Sequence, residues 1–346
     1  IDVLPSSPNI FCGEELIVNV RVSNPLGLPV PWVKLKLLVP PELGHGRPPQ
    51  RVISLGPGQT RTWEVRLWSI RRGLYSVGPL IIETGDPLGA ASVTGRREPF
   101  EVRVFPQIVH LERPAFPFRL SHSSIRADVS MFEDRAKPVG VRDYAPEDDV
   151  RRIHWKLTAR AGSLKVREFE HATALETLVF LNLDQADYEL RYLDRYSELA
   201  ITVAASLITA LGRMRQSVGL GLNGSSHAFR KPGRESGHLI ELLTLLATCS
   251  AGSSKPFQNL VEETAGRLAW GTTLALVTPQ DSGELMRTAL GLKRSGFEPI
   301  VLVVNRKLHH PEILSGVRRF GVGGVNISSE EALESWGKEV ARRVCR

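Results

Sequence analysis

The hydrophobic pattern of this chain changes period partway along its length, and that change limits the fold more than any single motif. Up to Phe105 the apolar residues recur every second position. Leu16, Val18, Val20 and Val22 alternate with Ile17, Asn19, Arg21 and Ser23. Val33, Leu35, Leu37 and Val39 follow, then Trp63, Val65 and Leu67, then a run from Tyr75 to Ile82, then Phe100, Val102 and Val104. Turn formers punctuate these runs at Asn24-Pro25-Leu26-Gly27, Pro40-Pro41, Gly56-Pro57-Gly58 and Gly85-Asp86-Pro87. Period two with such punctuation predicts an antiparallel β-sandwich of immunoglobulin-like type.

Beyond Glu170 the pattern lengthens. Leu178 to Leu183 is a continuous apolar run ending at Asp184, as in a strand covered on both faces. Leu193 to Arg213 sets Leu199, Val203, Leu207 and Leu211 on one helical face. Val218–Leu222, Thr273–Val277 and Ile300–Val304 read as further strands. Glu235–Thr248, 257–268 and Gly283–Arg294 read as helices, and Ser328-x-x-Glu331 opens a last helix that ends in Arg342-Arg343. Alternating strands and helices predict a doubly wound, mostly parallel α/β sheet. A chain of 346 residues has room for two such domains. The boundaries read as a β-sandwich over 1–106, a connector and charged segment over 107–170, and the α/β domain over 171–346. Residues 107–139 carry little periodicity and read as a long arm.

Between the domains, Gly140 to Glu170 mixes charges of both signs with single aromatics, and no single period runs through it. Asp143 to Asp149 reads as a turn, and Val150 to Ala161 as a short helix entered from Asp148 or Asp149. The pattern G-x-R-x-Y, an acidic pair, R-x-I-x-W, A-R and L-x-V-R-E-x-E rests on Gly140, Arg142, Tyr144, Asp149, Arg152, Trp155, Ala159, Arg160 and Leu164 to Glu168. It resembles the signature of the bacterial domain of unknown function family 58. Arg71-Arg72-Gly73-Leu74-Tyr75 and Asp86-Pro87-Leu88-Gly89 are similar to two further landmarks of that family, and their residue types read as turn chemistry. Arg142, Asp149, Arg152, Trp155 and Arg160 are expected to form a partly buried clamp, because guanidinium forks suit carboxylates and an indole face. The rival expectation is that Arg142, Tyr144, Asp149, Arg152, Trp155 and Arg160 face solvent and grip a partner.

The resemblance also implies a von Willebrand factor A-like α/β domain. In that fold the motif D-x-S-x-S at the end of the first strand holds Mg²⁺ through hard oxygen ligands. Asp184 matches the first position, but Ala186 and Tyr188 replace both serines, and Pro279 stands where the second loop needs an Asp. The site therefore reads as degenerate, with no resident metal or other cofactor expected and Mg²⁺ as a weak alternative. Asp184, Asp187 and Asp281 are left as an improvised oxygen cluster. Gly219, Gly221 and Gly224 give G-x-G-x-x-G without the helix that a phosphate loop needs, so they read as a hairpin. Gly321-Val322-Gly323-Gly324 reads as a loop without lysine. His309-His310 cannot face one ion from a helix, and His154 reads as structural.

Composition narrows the function classes. With 42% hydrophobic residues the chain can build cores and is no disordered tail. Cys12, Cys249 and Cys345 lie far apart and give neither a disulfide framework nor a zinc site. The net charge of +7 is spread along the chain, which disfavours nucleic acid as a partner. No apolar run reaches the roughly 18 residues of a membrane span, and an opening Ile1 rather than Met reads as an excised or processed fragment.

The resemblance implies a non-enzymatic scaffold, membrane-proximal on the cytoplasmic side through helices preceding this segment. It also implies work beside a MoxR-type AAA+ ATPase on an unknown client protein, in assembly or maturation of a complex. Two alternatives remain open: a hydrolase using the acids of 143–154 with His154, and a basic nucleic-acid binder.

Overall fold

The computed structural model describes residues 1–44, 46–86, 91–111, 133–144, 153–171, 176–225, 227–252, 255–308 and 310–344. The chain divides into one unit made of Ile1–Phe116 with Glu176–Arg346 and a second of Pro117–Leu175.

The first unit opens with ten strands: β1 (Asp2–Pro5), β2 (Asn9–Phe11), β3 (Glu15–Ser23), β4 (Val30–Leu37), β5 (Gln50–Leu55), β6 (Thr60–Trp68), β7 (Gly73–Val77), β8 (Leu80–Gly85), β9 (Ser92–Arg97) and β10 (Phe100–Phe105). They form three sheets ordered β1-β3-β6, β2-β10-β7 and β5-β4-β8-β9. Alternation explains the packing. Leu16, Val18, Val20 and Val22 of β3 meet Val33, Leu35 and Leu37 of β4, Trp63, Val65 and Leu67 of β6, and Val102 and Val104 of β10 in one core. Each fully buried side chain of this kind contributes about 1.5–3 kcal/mol.

The expected single run from Tyr75 to Ile82 is two strands in different sheets. The Gly78–Pro79 bond, which is cis, separates β7 from β8, and Pro79 has no N–H to continue a ladder. Gly78 sits at φ +120°, and a Cβ there would lie 2.7 Å from Pro99 Cα, so only glycine fits this corner. The sequence pattern gives no sign of β9, because its residues are exposed throughout and backbone pairing with β8 holds it.

The second unit contains β11 (Glu133–Asp143), α1 (Trp155–Ala161) and β12 (Lys165–His171). β11 and β12 are antiparallel, with Gly140 opposite Glu168 and Asp143 opposite Lys165. The arm read through residue 139 thus ends as a strand. The helix starts at Trp155 rather than Val150, because His154 caps it: its Nδ1 accepts the Leu157 N–H at 3.2 Å. Gly162, in the left-handed region, closes it. Ile153 and Val166 are buried and bridge each other.

The first unit resumes with β13 (Glu176–Leu181), α2 (Leu193–Arg213), β14 (Ser217–Leu222), β15 (Ala228–Gly233), α3 (Ser236–Thr248), α4 (Phe257–Ala265), β16 (Thr273–Thr278), α5 (Gly283–Arg294), β17 (Glu298–Val303), α6 (Pro311–Arg319), β18 (Gly323–Asn326) and α7 (Glu330–Val344). One sheet runs β15-β14-β13-β16-β17-β18, parallel except for the edge strand β15. α2 covers one face. On the other, Phe257, Leu260 and Val261 of α4 and Leu285, Ala289 and Leu292 of α5 pack on Leu178, Phe180, Leu276 and Val301.

The glycines of 219–224 form the hairpin expected of them: a Cβ at Gly219 would lie 2.6 Å from the Arg230 carbonyl of β15. Gly323 and Gly324, read as loop, belong instead to β18, where Gly323 pairs with Ile300. Without side chains such a strand leaves no hydrophobic pattern. α7 begins one residue later than the capping box suggested, with Ser329 Oγ accepting from Ala332 N at 3.3 Å. No described helix is long and apolar enough to cross a membrane.

The strands of the β region and the α/β sheet meet along α3, which packs on β7 and β10. A strap after β10 runs beside them. Gln107 bonds Glu330, the Val109 N–H donates to Ser206 Oγ at 2.9 Å, and His110 contacts Arg213 at 2.8 Å.

Candidate functional site

In an open α/β sheet, ligands bind at the carboxyl ends of the strands where the winding reverses. Here that point lies between β13 and β16, since the chain leaves β13 toward β14 and returns to β16 on the other side. Polar side chains fill it. Asn182 Nδ2 donates to Asp187 at 2.7 Å and to Thr278 Oγ1 at 3.0 Å. Gln280 donates to the other oxygen of Asp187, and Gln258 donates to Gln280 at 3.0 Å. The Tyr188 hydroxyl donates to the Asn182 carbonyl at 2.6 Å. Burial pushes the Asp187 carboxyl above its ordinary value, against the opposing pull of the Asn182 and Gln280 amides.

The three aspartates do not converge. Asp184 is buried, and its carboxylate accepts the Ala186 N–H at 3.1 Å, capping a short 3₁₀ helix over Gln185–Asp187. Asp281 holds the His310 N–H at 2.7 Å. Among the described residues no group of three or more His, Cys, Asp or Glu side chains could hold a metal ion. The donor set does not fit Mg²⁺: Ala186 offers no oxygen, and Tyr188 commits its hydroxyl to a backbone carbonyl. His310 pairs with Glu312 at 3.1 Å, and His309 lies outside the described residues.

A second polar centre was hidden by its sequence context. Arg72, read as turn chemistry, is a buried clamp whose side chain is only 9% exposed. Its Nη1 reaches both oxygens of Glu198 on α2 at 2.7 and 2.8 Å. Nε and Nη2 donate to the carbonyls of Leu246 and Cys249 at 3.0 and 2.5 Å. Those carbonyls belong to the C-terminal end of α3, where unpaired acceptors and the negative pole of the helix favour a cation. A cleft of about 420 Å³ opens beside it, lined among others by Cys12, Arg195 and Ser329. Burial raises the Cys12 thiol above its ordinary value, and it pushes the thiol of Cys249, whose carbonyl Arg72 holds, up to about 11. Asp86, from the other landmark, closes a turn: its N–H donates to Ala91 O at 3.1 Å. Residues 87–89 lie outside the described ones.

The charged segment is placed in part. Arg142 pairs through its backbone with Val166, and the half-buried Tyr144 donates its N–H to Leu164 O at 3.0 Å. Arg160 is exposed in the last turn of α1, where the helix dipole favours a cation. Asp149 and Arg152 lie outside the described residues. Trp155 is 63% exposed, so it does not supply the buried apolar surface on which the clamp was to be built. His154 has one ring nitrogen committed to the cap.

Against known proteins, the chain is 22% identical over 275 residues to the uncharacterised protein YeaD of Bacillus subtilis. That stretch covers 75% of this chain and 64% of the relative, so the chain spans less than two thirds of YeaD. Among solved structures, a von Willebrand factor type A protein from Catenulispora acidiphila aligns over 48% of this chain and 42% of its own length, at 10% identity and a TM-score of 0.34. The cupredoxin domain of amoB from Nitrosocaldus yellowstonii aligns over 30% of this chain and 83% of its own, at 12% identity and a TM-score of 0.22. Both likenesses are too loose to carry an argument. Residues 140–270, from the last residues of β11 through the charged segment and on past α4, match the family described as "Protein of unknown function DUF58".

Proposed function

We propose that this chain is a non-enzymatic interaction module. The observation that carries the reading is the state of the strand-end crevice. Asn182, Asp187, Thr278, Gln280 and Tyr188 spend hydrogen bonds on each other, and among the described residues no group of three or more His, Cys, Asp or Glu side chains could hold a metal ion. The exposed Trp155 supports the same reading, since a large aromatic in solvent suits an anchor for a partner. On this view the β region is immunoglobulin-like, and the α/β part is a von Willebrand factor A-like domain with a degenerate metal motif. The protein works near the cytoplasmic face of a membrane with a MoxR-type AAA+ ATPase, on a client complex that it helps to assemble.

The test is affinity capture from native membranes with the full-length protein, wild type against Trp155→Ala. The ATPase is expected with the wild type and strongly reduced with the variant. Equal capture by both removes Trp155 from the interface, and capture of no ATPase by either rejects the partnership.

A further inference from the structure

A groove of about 770 Å³ runs between α4 and α5. In the strand-end crevice the polar side chains bond one another, but in this groove they do not. Asn259, Glu262, Glu284, Arg287, Thr288 and Ser295 line it. Among the described residues, none of these side chains has a hydrogen-bond or ion-pair partner within the protein. Ala265, Leu292 and Phe297, which also line the groove, are buried and form its floor. Trp270 stands differently: its indole is 61% exposed at the wall of the groove. Gly296, at φ +87°, lies so close that a Cβ there would run into the indole, so the ring is seated on backbone.

Two more glycines keep the walls low. Gly291 stands inside α5 and Gly266 just past α4, and a Cβ at either would meet nothing within 4 Å. Neither has a positive φ. Glycine is a poor residue inside a helix, so the fold itself gains nothing from Gly291.

The lining decides what would fit. Carboxylates supply acceptors, a guanidinium supplies donors, and the amide and hydroxyls supply both. Charges of both signs line the groove, so a nucleic-acid backbone finds no continuous basic track. A docked helix would need an exposed apolar strip, and here the apolar floor is buried. A flat indole among mixed donors and acceptors suits a sugar instead. The C–H groups of a pyranose ring lie on the aromatic face, and its hydroxyls reach the polar walls. The volume falls within the roughly 300–1,000 Å³ of small-molecule sites.

We infer that the α4–α5 groove binds a neutral oligosaccharide of equatorially substituted sugars, stacked on Trp270 and hydrogen-bonded by Glu262, Glu284 and Arg287. Equatorial substituents leave the ring face flat, whereas an axial group would lift it off the indole. This goes beyond the reading of the chain as an interaction module and uses none of the residues on which that reading rests.

The experiment is isothermal titration calorimetry of the full chain with cellotetraose and chitotetraose, whose sugars are equatorial and β-linked, and with the α-linked maltotetraose. A β-linked probe is expected to bind with a millimolar or tighter Kd, little affected by salt, and maltotetraose about tenfold more weakly. Trp270→Ala should lose about tenfold in affinity, and Trp270→Phe, which keeps a smaller platform, should fall between. Gly291→Phe fills the groove from a position where its side chain meets nothing, so it should abolish binding with an unchanged melting temperature. Circular dichroism checks that each variant is folded. No heat from either β-linked probe at millimolar concentration overturns the site, as does binding untouched by Trp270→Ala and Gly291→Phe. Equal binding of maltotetraose overturns the equatorial assignment. Tighter binding of a single-stranded oligonucleotide with the same Trp270 dependence overturns the sugar assignment.

Discussion

Arg72 and Trp155 make an instructive pair. Trp155 sits in the most conspicuous stretch of the chain, among acids and arginines, yet stands in solvent at the start of a seven-residue helix. Arg72 sits in an ordinary Arg-Arg-Gly turn, yet is almost wholly buried and holds three separate acceptors. Charge density along a sequence reports what a segment has available. Burial is decided by what another, distant segment lacks, and here the end of α3 lacks partners for its last carbonyls.

That contrast is sharpest in stability. Arg72→Ala strands the Cys249 carbonyl, leaves that of Leu246 only the weak Cys249 thiol donor, and should cost on the order of 3 kcal/mol. Chemical denaturation of purified protein measures it. Glu198→Gln, whose side chain is 58% exposed, should cost no more than about 1 kcal/mol. Equal losses in the two variants would mean that the ion pair, rather than the helix end, is what Arg72 serves.

Asp187→Asn probes the crevice between those extremes. One oxygen of the carboxylate becomes an NH₂ that faces a donor, either Asn182 or Gln280, so about 1–3 kcal/mol should be lost at neutral pH. Acid should widen the difference. The folded-state value of Asp187 is raised, so its contribution to stability is fully present below the ordinary aspartate range and is lost as pH rises through the raised value. Wild-type stability should therefore carry a downward step with pH over that window, and the variant should lack it. Denaturation curves taken across the window decide the point.

The smallest effects belong to α1. His154→Ala removes an N-cap and should cost about 1 kcal/mol, whereas Trp155→Ala should change the melting temperature within error, because exposed substitutions usually stay within about 0.5 kcal/mol. A large drop in melting temperature for Trp155→Ala would favour the clamp.

The parts of the fold that were legible in sequence are those where one chemical period covers a whole element. β3 and β6 alternate buried and less buried residues without a break, β13 is apolar from Leu178 on, and α2 repeats its leucines on one face. Legibility failed where the backbone alone does the work. β9 has no buried residue, β18 is half glycine, and the corner at Gly78–Pro79 redirects the chain without interrupting the apolar pattern. In the candidate sites, Asp184 could be found from its position at a strand end. Asn182 and Gln280 could not be assigned their roles, because each donates to a residue more than ninety positions away, and Tyr188 acts through a backbone carbonyl that leaves no mark on the sequence.

The seam at Arg72 also sets an order of events during synthesis. β2 pairs with β10, so that sheet cannot close until Phe105 has emerged. The carbonyls that Arg72 caps come 174 and 177 residues after it. Contacts of such long range form late and slow the final step of folding. Through that interval the guanidinium remains hydrated at the edge of a finished β region, and the last turn of α3 remains frayed. The docking of one against the other is therefore a late checkpoint for the nascent chain.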